Sequence, residues 1–205
     1  MLARILVAAL LLCAAPVSAA LLTVRVVDAG GRPVRDAVVT LKPSGSAARR
    51  PRPGGRYTVS QKAMQFHPFV LVIPVGSDVS FPNFDSTKHH VYSFSPAKQF
   101  ELKLFAKDQS RSVHFDKPGI VALGCNIHDQ MTAFIVVADS AWTAKTDAKG
   151  MATFSDAPNA AGKLSVWHPY LRAPGNTVAR AVPADSRSQG FKVALRPPPM
   201  PMADY

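Results

Sequence analysis

Residues 117–131 read KPGIVALGCNIHDQM, and how this stretch is taken decides the fold. Pro118-Gly119 opens a short apolar run over 119–123, and a second, more apolar run, TAFIVVAD, follows at 132–139. Runs of this length, rich in Val and Ile and bounded by turn residues, read as strands. The loop between them carries Cys125, His128 and Met131. Taken singly, each has an ordinary explanation: a buried free thiol, a turn-capping imidazole, a core methionine. Together on one loop, a thiolate, an imidazole and a thioether form a soft donor set suited to copper.

The cysteine count sharpens the question. Residues 1–20, MLARILVAALLLCAAPVSAA, place one basic residue, Arg4, before an unbroken apolar run and then small residues near Ala19. This is the layout of a signal peptide, and the run is too short to span a bilayer. Cleavage is expected after Ala19 or Ala20, giving a periplasmic protein with no stable membrane insertion. Cys13 follows Leu12, where lipid attachment would need a small residue, so no lipid anchor is expected. Cys125 is then the only cysteine left. Oxidising compartments favour paired cysteines, so an unpaired thiol there needs another use. Without Arg4, 23 basic residues face 13 acidic ones, a net charge of +10, with Glu101 the only glutamate. That excess suits an acidic docking partner or an anionic surface. The basic residues are scattered and not interleaved with aromatics, so nucleic acid is not an expected partner.

Helical periodicity is nearly absent, and short β-rich runs alternate with turn residues, so the fold class is all-β. Strands are expected at 22–27 and 37–41, joined through the turn Asp28-Ala29-Gly30-Gly31. PSGSAARRPRPGGR, residues 43–56, reads as an exposed loop. Further strands are expected at 69–73 and 78–81 about a bend, at 89–95, in QFELKLF and SVHFDKPGIVALGC, and at 132–139. A hairpin pattern around 147–150, then GKLSVWHPY and a last strand at 190–195, complete the chain. Two strands cannot bury a face alone. Residues 21–45 and 140–197 are therefore expected to form one small sandwich, with 46–55 a loop and 56–139 an inserted or fused domain. The proline-rich tail 198–205 is expected to be disordered.

A second histidine should come from a distant strand, and His89-His90 opens the run at 89–95. FHPFVLVIPVGSDVSFPNFD, HHV and KPGIVALGCNIHDQM together resemble the cupredoxins, in particular the plastocyanin and amicyanin group. The C-x-x-H-x-x-M loop is similar to the short amicyanin form. His90, where the family pattern has Asn, and Val121, where many members have Tyr, depart from it. The whole chain also looks like exported proteins of the methylamine-utilisation type. The flanking pattern V-x-V-x-D-x-x-G-x-P-V-x-x-A-V-V resembles carboxypeptidase-regulatory or transthyretin-like sandwiches. The resemblance implies a Greek-key β-sandwich and a mononuclear type 1 (blue) copper centre cycling between Cu(I) and Cu(II). It implies His89, Cys125, His128 and Met131 as metal ligands, with His128 nearest the surface. Successive strand residues face opposite ways, so one histidine of the pair can enter the site. The family register favours His89.

No enzyme is expected: additional His-x-His pairs, a second cysteine, or an acid and base beside Cys125 would each be needed for a different catalytic class. The expected function is carriage of single electrons to or from a redox partner with an acidic docking surface. Copper delivery or storage, and a binding module without redox turnover, stay open as alternatives. Asn83 and Asp85 are expected to hydrogen-bond the loops around the site, and Asn126 to approach the sulfur or a neighbouring loop. His67 reads as a turn residue, His114 as solvent-facing, and Trp167-His168 as packing in the outer sandwich. Met200 and Met202 are not expected to bind copper.

Overall fold

The computed structural model describes residues 19–198. Nearly all of the expected signal peptide and the tail with Met200 and Met202 lie outside the described residues. Among those described, strands dominate and no α-helix occurs. The first two are β1 (Ala19–Asp28) and β2 (Val38–Pro43). Next come β3 (Tyr57–Thr58), β4 (Ser60–Lys62), β5 (Gln65–His67), β6 (Val70–Pro74) and β7 (Ser77–Pro82). They are followed by β8 (His89–Ser95), β9 (Lys98–Phe105), β10 (Ser110–Phe115), β11 (Gly119–Gly124) and β12 (Thr132–Ala138). The last five are β13 (Trp142–Lys145), β14 (Met151–Pro158), β15 (Gly162–Trp167), β16 (Thr177–Val182) and β17 (Ser188–Val193).

Pairing sorts these strands into two groups. The sheets β14-β1-β17 and β13-β2-β15-β16 draw only on the two ends of the chain. The sheets β10-β7-β3 and β6-β12-β11-β8-β9, with the β4-β5 ribbon, draw only on the middle. The fold is thus all-β, built as sandwich-like layers. Two differences from the sequence expectation stand out. First, β1 and β2 do not pair as a hairpin. The turn at 28–31 leads to a bridge between Val27 and Pro33, and β2 then joins the facing sheet. The turn at 147–150 likewise joins β13 and β14 in different sheets. Each turn arches over a core instead of closing a ribbon, because Val24, Val26, Val39, Leu41, Trp142 and Phe154 all bury into the one cluster between those sheets. Second, β3, β4 and β5 were not expected, since strands of two or three residues are too short to show a period of two.

Side-chain alternation in the five-stranded sheet organises the rest. Odd-numbered Ile73, Val91, Val121, Leu123, Ala133, Ile135 and Val137 enter the core of the middle group. Even-numbered Val70, Val136, Ile120 and Phe134 turn the other way and meet Val38 and Trp167 of the outer group. Period-two alternation puts these sets on opposite faces. Because β12 is covered on both faces, its sequence is a continuous apolar run. Phe134 meets Trp167 with ring centroids 5.6 Å apart and Phe69 at 5.6 Å, both near edge-to-face. Lys145 Nζ donates to the Val70 carbonyl at 2.9 Å and pairs with Asp36 at 2.8 Å, bracing the same junction.

Trp167→Ala should therefore cost about 3 kcal/mol, the usual scale for truncating a buried aromatic, measured as a fall in the urea unfolding midpoint at constant slope. His168, beside it, is buried, and burial lowers its pKa below the ordinary 6.5, although Asp36 and the Arg35 backbone act in the opposite direction. The unfolded chain then takes up a proton more readily than the folded one. Stability from this group is complete above about pH 6.5 and is lost as the pH falls from there through the folded value. Between about pH 7.5 and 5, the wild-type midpoint should drop more steeply than that of His168→Gln.

Candidate metal centre

Cys125 continues the odd register of β11 past Gly124, so its sulfur enters the core and it is 2% exposed. Met131 precedes β12 in the same parity and is fully buried. The loop between them is closed by the Met131 N–H, which donates to the His128 carbonyl at 2.9 Å. His128 is half-buried, and its Nδ1 is a buried atom with no hydrogen-bond partner. His89 opens β8, the neighbour of β11 on the other side, and is fully buried. Its Nδ1 lies 3.8 Å from Cys125 Sγ, and its ring centroid is 5.2 Å from that of His128. One donor atom from each of His89, Cys125 and His128 lies within 4.8 Å of the others.

His89 and His90 part company as alternation requires. His90 contacts Glu101 through Nε2 at 2.9 Å and packs against Tyr92, outside the cluster. The β8–β9 register is irregular between His89 and Val91, a bulge of the kind that re-aims side chains near functional sites.

Asn83 is fully buried and bonds as expected: its Nδ2 donates to the Thr87 and Phe105 carbonyls at 2.9 and 3.1 Å. Asp85 also bonds the neighbouring loop, accepting the N–H groups of Ala63 at 2.6 Å and Met64 at 2.9 Å. Its Oδ2 further meets His89 Nε2 at 2.7 Å, a contact the sequence reading missed. Burial alone would raise the Asp85 pKa, but the Met64 N–H, His89 and the Ala63 N–H outweigh it and bring it below the ordinary carboxylate value.

The expectation that no acid and base stand beside Cys125 is therefore overturned. Asp85, His89 and Cys125 form a relay of the sort that activates nucleophilic thiols. Their burial decides what such a relay can do. With Cys125 at 2% and His89 at 0% exposure, no substrate carbonyl has a path to the sulfur. An ion fits better: the donors are a soft sulfur and two imidazoles facing one another, and His128 Nδ1 lacks any partner in the protein.

The remaining candidates fall outside the cluster. His67 is exposed at the end of β5, and His114 is exposed and contacts Asp78 at 3.0 Å. Asn126 is exposed, and among the described hydrogen bonds none joins it to the sulfur. A cleft of about 860 Å³ lies beside the loop, between Asp129, Gln130 and Thr132 on one side and Arg35, Asp36, Lys145 and Tyr170 on the other. None of His89, Cys125, His128 or Met131 lines it. Met64, Phe84 and Ile127 are exposed apolar residues adjoining the site: Met64 bonds Asp85, Phe84 precedes it, and Ile127 precedes His128.

No family model matches the chain, and no curated protein does. Solved structures similar to part of it include a Cu-containing nitrite reductase from Thermus scotoductus SA-01, 26% identical over 48% of this chain, with a TM-score of 0.40. This chain spans only 25% of that protein. A purple cupredoxin from Nitrosopumilus maritimus is 21% identical over 40% of this chain and 99% of its own, with a TM-score of 0.37. A Cu(I) amicyanin variant is 23% identical over 49% of this chain and 98% of its own, with a TM-score of 0.38. Each alignment leaves about half of this chain or more outside it, so its own side chains decide what the site can hold.

Asn83→Ala would strip the buried Phe105 carbonyl and the part-buried Thr87 carbonyl of their donor, and the Asp85 N–H of its acceptor. A loss of about 2 kcal/mol is expected, since each buried acceptor left unmade costs ~1–3 kcal/mol less whatever water recovers; equilibrium denaturation of the metal-free protein measures it.

Proposed function

We propose that this chain is an exported type 1 (blue) copper protein that passes single electrons to or from a redox partner. His89, Cys125, His128 and Met131 are its copper ligands, and residues 56–139 form the copper domain. The outer strands, from 21–45 and 140–197, make a second sandwich fused to it. The observation that carries this reading is the convergence of His89, Cys125 and His128 within 4.8 Å of one another in a buried interior. Met131, buried on the same face, supplies the weak fourth donor such a site takes. When bound, copper supplies a one-electron couple between Cu(I) and Cu(II).

The chain's own contribution is to hold the donors still. Cys125 leaves β11, Met131 enters β12 and His89 opens β8, and these three strands are neighbours in one sheet. Their backbone ladders fix the spacing of the donors whichever charge the site carries. Cys125 binds as the thiolate and both histidines as neutral imidazoles, so binding releases protons and favours the folded state. Burial of the sulfur and thioether favours keeping the ion over handing it on, which supports a carrier over a delivery protein. Exposed Met64, Phe84 and Ile127 offer an apolar rim, and the net positive charge suits a partner with an acidic surface.

Visible and electron paramagnetic spectra of the copper-loaded protein test this. An intense thiolate-to-copper band is expected in the wild type, and Cys125→Ser should abolish it together with most of the copper affinity. An unchanged spectrum in Cys125→Ser would refute the assignment. At ~1,000 times its dissociation constant, copper should add ~4 kcal/mol to wild-type stability and far less to the variant.

A further inference from the structure

We propose that Asp85 is a positioning residue for this centre: its carboxylate keeps the His89 proton on Nε2, so that the Nδ1 lone pair faces Cys125. The proposal rests on the copper reading for its metal-binding consequence, and on hydrogen-bond accounting alone for the tautomer.

Asp85 Oδ1 accepts the Ala63 N–H at 2.6 Å, and Oδ2 accepts the Met64 N–H at 2.9 Å. The third contact is His89 Nε2, 2.7 Å from Oδ2. An ionised carboxylate can only accept, so the hydrogen in this third contact belongs to Nε2. A neutral imidazole carries one N–H, and with Nε2 holding it, Nδ1 presents a lone pair. That nitrogen is the one 3.8 Å from Cys125 Sγ. A metal ligand whose other ring nitrogen donates to a carboxylate is held in both tautomer and orientation, and its donor strength rises.

Asp85 is itself held from two sides. Its N–H donates to Asn83 Oδ1 at 2.9 Å, and the Asn83 amide is fixed to the Thr87 and Phe105 carbonyls. On the other side lies the tight turn between β4 and β5, where Ala63 and Met64 have φ of 53° and 54°. Neither is glycine, and side chains disfavour this left-handed region. Such conformations persist where the surroundings over-determine them. Here the twisted turn presents two successive N–H groups to a single carboxylate. Asp85 thus ties a strained turn and a candidate ligand to one rigid point. His89 is fully buried, so no water competes for Nε2.

The test uses two readouts. Long-range ¹H–¹⁵N spectra of the metal-free full chain at about pH 8, where ordinary imidazoles are neutral, report the tautomer directly. His89 should be solely Nε2–H in the wild type and should shift towards Nδ1–H in Asp85→Ala. Competition titrations with Cu(II) should show affinity falling by about 10–100-fold in Asp85→Ala, the usual scale for losing such a partner. Asp85→Asn, which preserves shape but removes the charge, should lose less affinity and keep folded spectra if the alanine variant does not fold. An Nδ1–H tautomer in the wild type overturns the proposal. So does an unchanged tautomer, or Cu(II) affinity within a factor of two of wild type, in both variants. Failure of the wild type to bind copper would sink the functional reading, while the metal-free spectra would still decide the role of Asp85.

Discussion

The register of one sheet places three of the four candidate donors, His89, Cys125 and Met131. β11 is hydrogen-bonded to β8 on one side and β12 on the other. Odd-numbered residues of β11 and β12 face inward, so a loop leaving β11 after Gly124 and entering β12 at Thr132 begins and ends with inward side chains. Those side chains are Cys125 and Met131. A slip of one residue in either strand would exchange core and surface along its whole length. It would also move the sulfur or the thioether to the face where Ile120 and Phe134 pack. The geometry of the candidate site and the apolar core therefore have the same determinant.

Burial separates two chemistries that share a geometry. Asp85, His89 and Cys125 stand in an order that would activate a thiol if a substrate could reach it. An interior in which Cys125 and His89 are this deeply buried has no place for a second reactant. It does leave a polar atom unanswered, His128 Nδ1, and such groups are costly in a packed core unless something outside the polypeptide satisfies them. A cation among two imidazoles and a thiolate meets that need without admitting water.

What the sequence disclosed depended on whether the signal was local. Cys125, His128 and Met131 sit on a seven-residue loop, so residue type and spacing suffice to bring them together. That only one of His89 and His90 could enter the site was also legible, because alternation along a strand needs no knowledge of its partner. Alternation alone did not say which, and His89 was favoured by the family resemblance. Asp85 was harder. It lies on an irregular loop four residues before His89, where no period says which way a side chain turns. The turns at 28–31 and 147–150 carry ordinary Asp and Gly signals, which look the same whether the flanking strands pair or separate. Only the facing core, with Val24 and Val39 on opposite layers, decides. The β4–β5 turn hid for the opposite reason: Ala63 and Met64 give no turn signal, and an acid more than twenty residues away, Asp85, receives the N–H groups they present.

The outer sheets acquire a physical role from the same alternation. A sheet that presents Val70, Ile120, Phe134 and Val136 on its even face cannot stand in water unaccompanied. Val38 and Trp167 cover that face, and Lys145 and Lys42 bind across its margins, to Val70 and Asp139. The cover reaches β6, β12 and β11 but leaves β8 and β9 open, where Phe94 is 78% exposed. The strands held from both sides include those that carry Cys125 out and Met131 back. Packing the outer strands here therefore covers both faces of the strands that position the Cys125 and Met131 side chains. His128 is on the loop beyond, where the even-face cover does not reach.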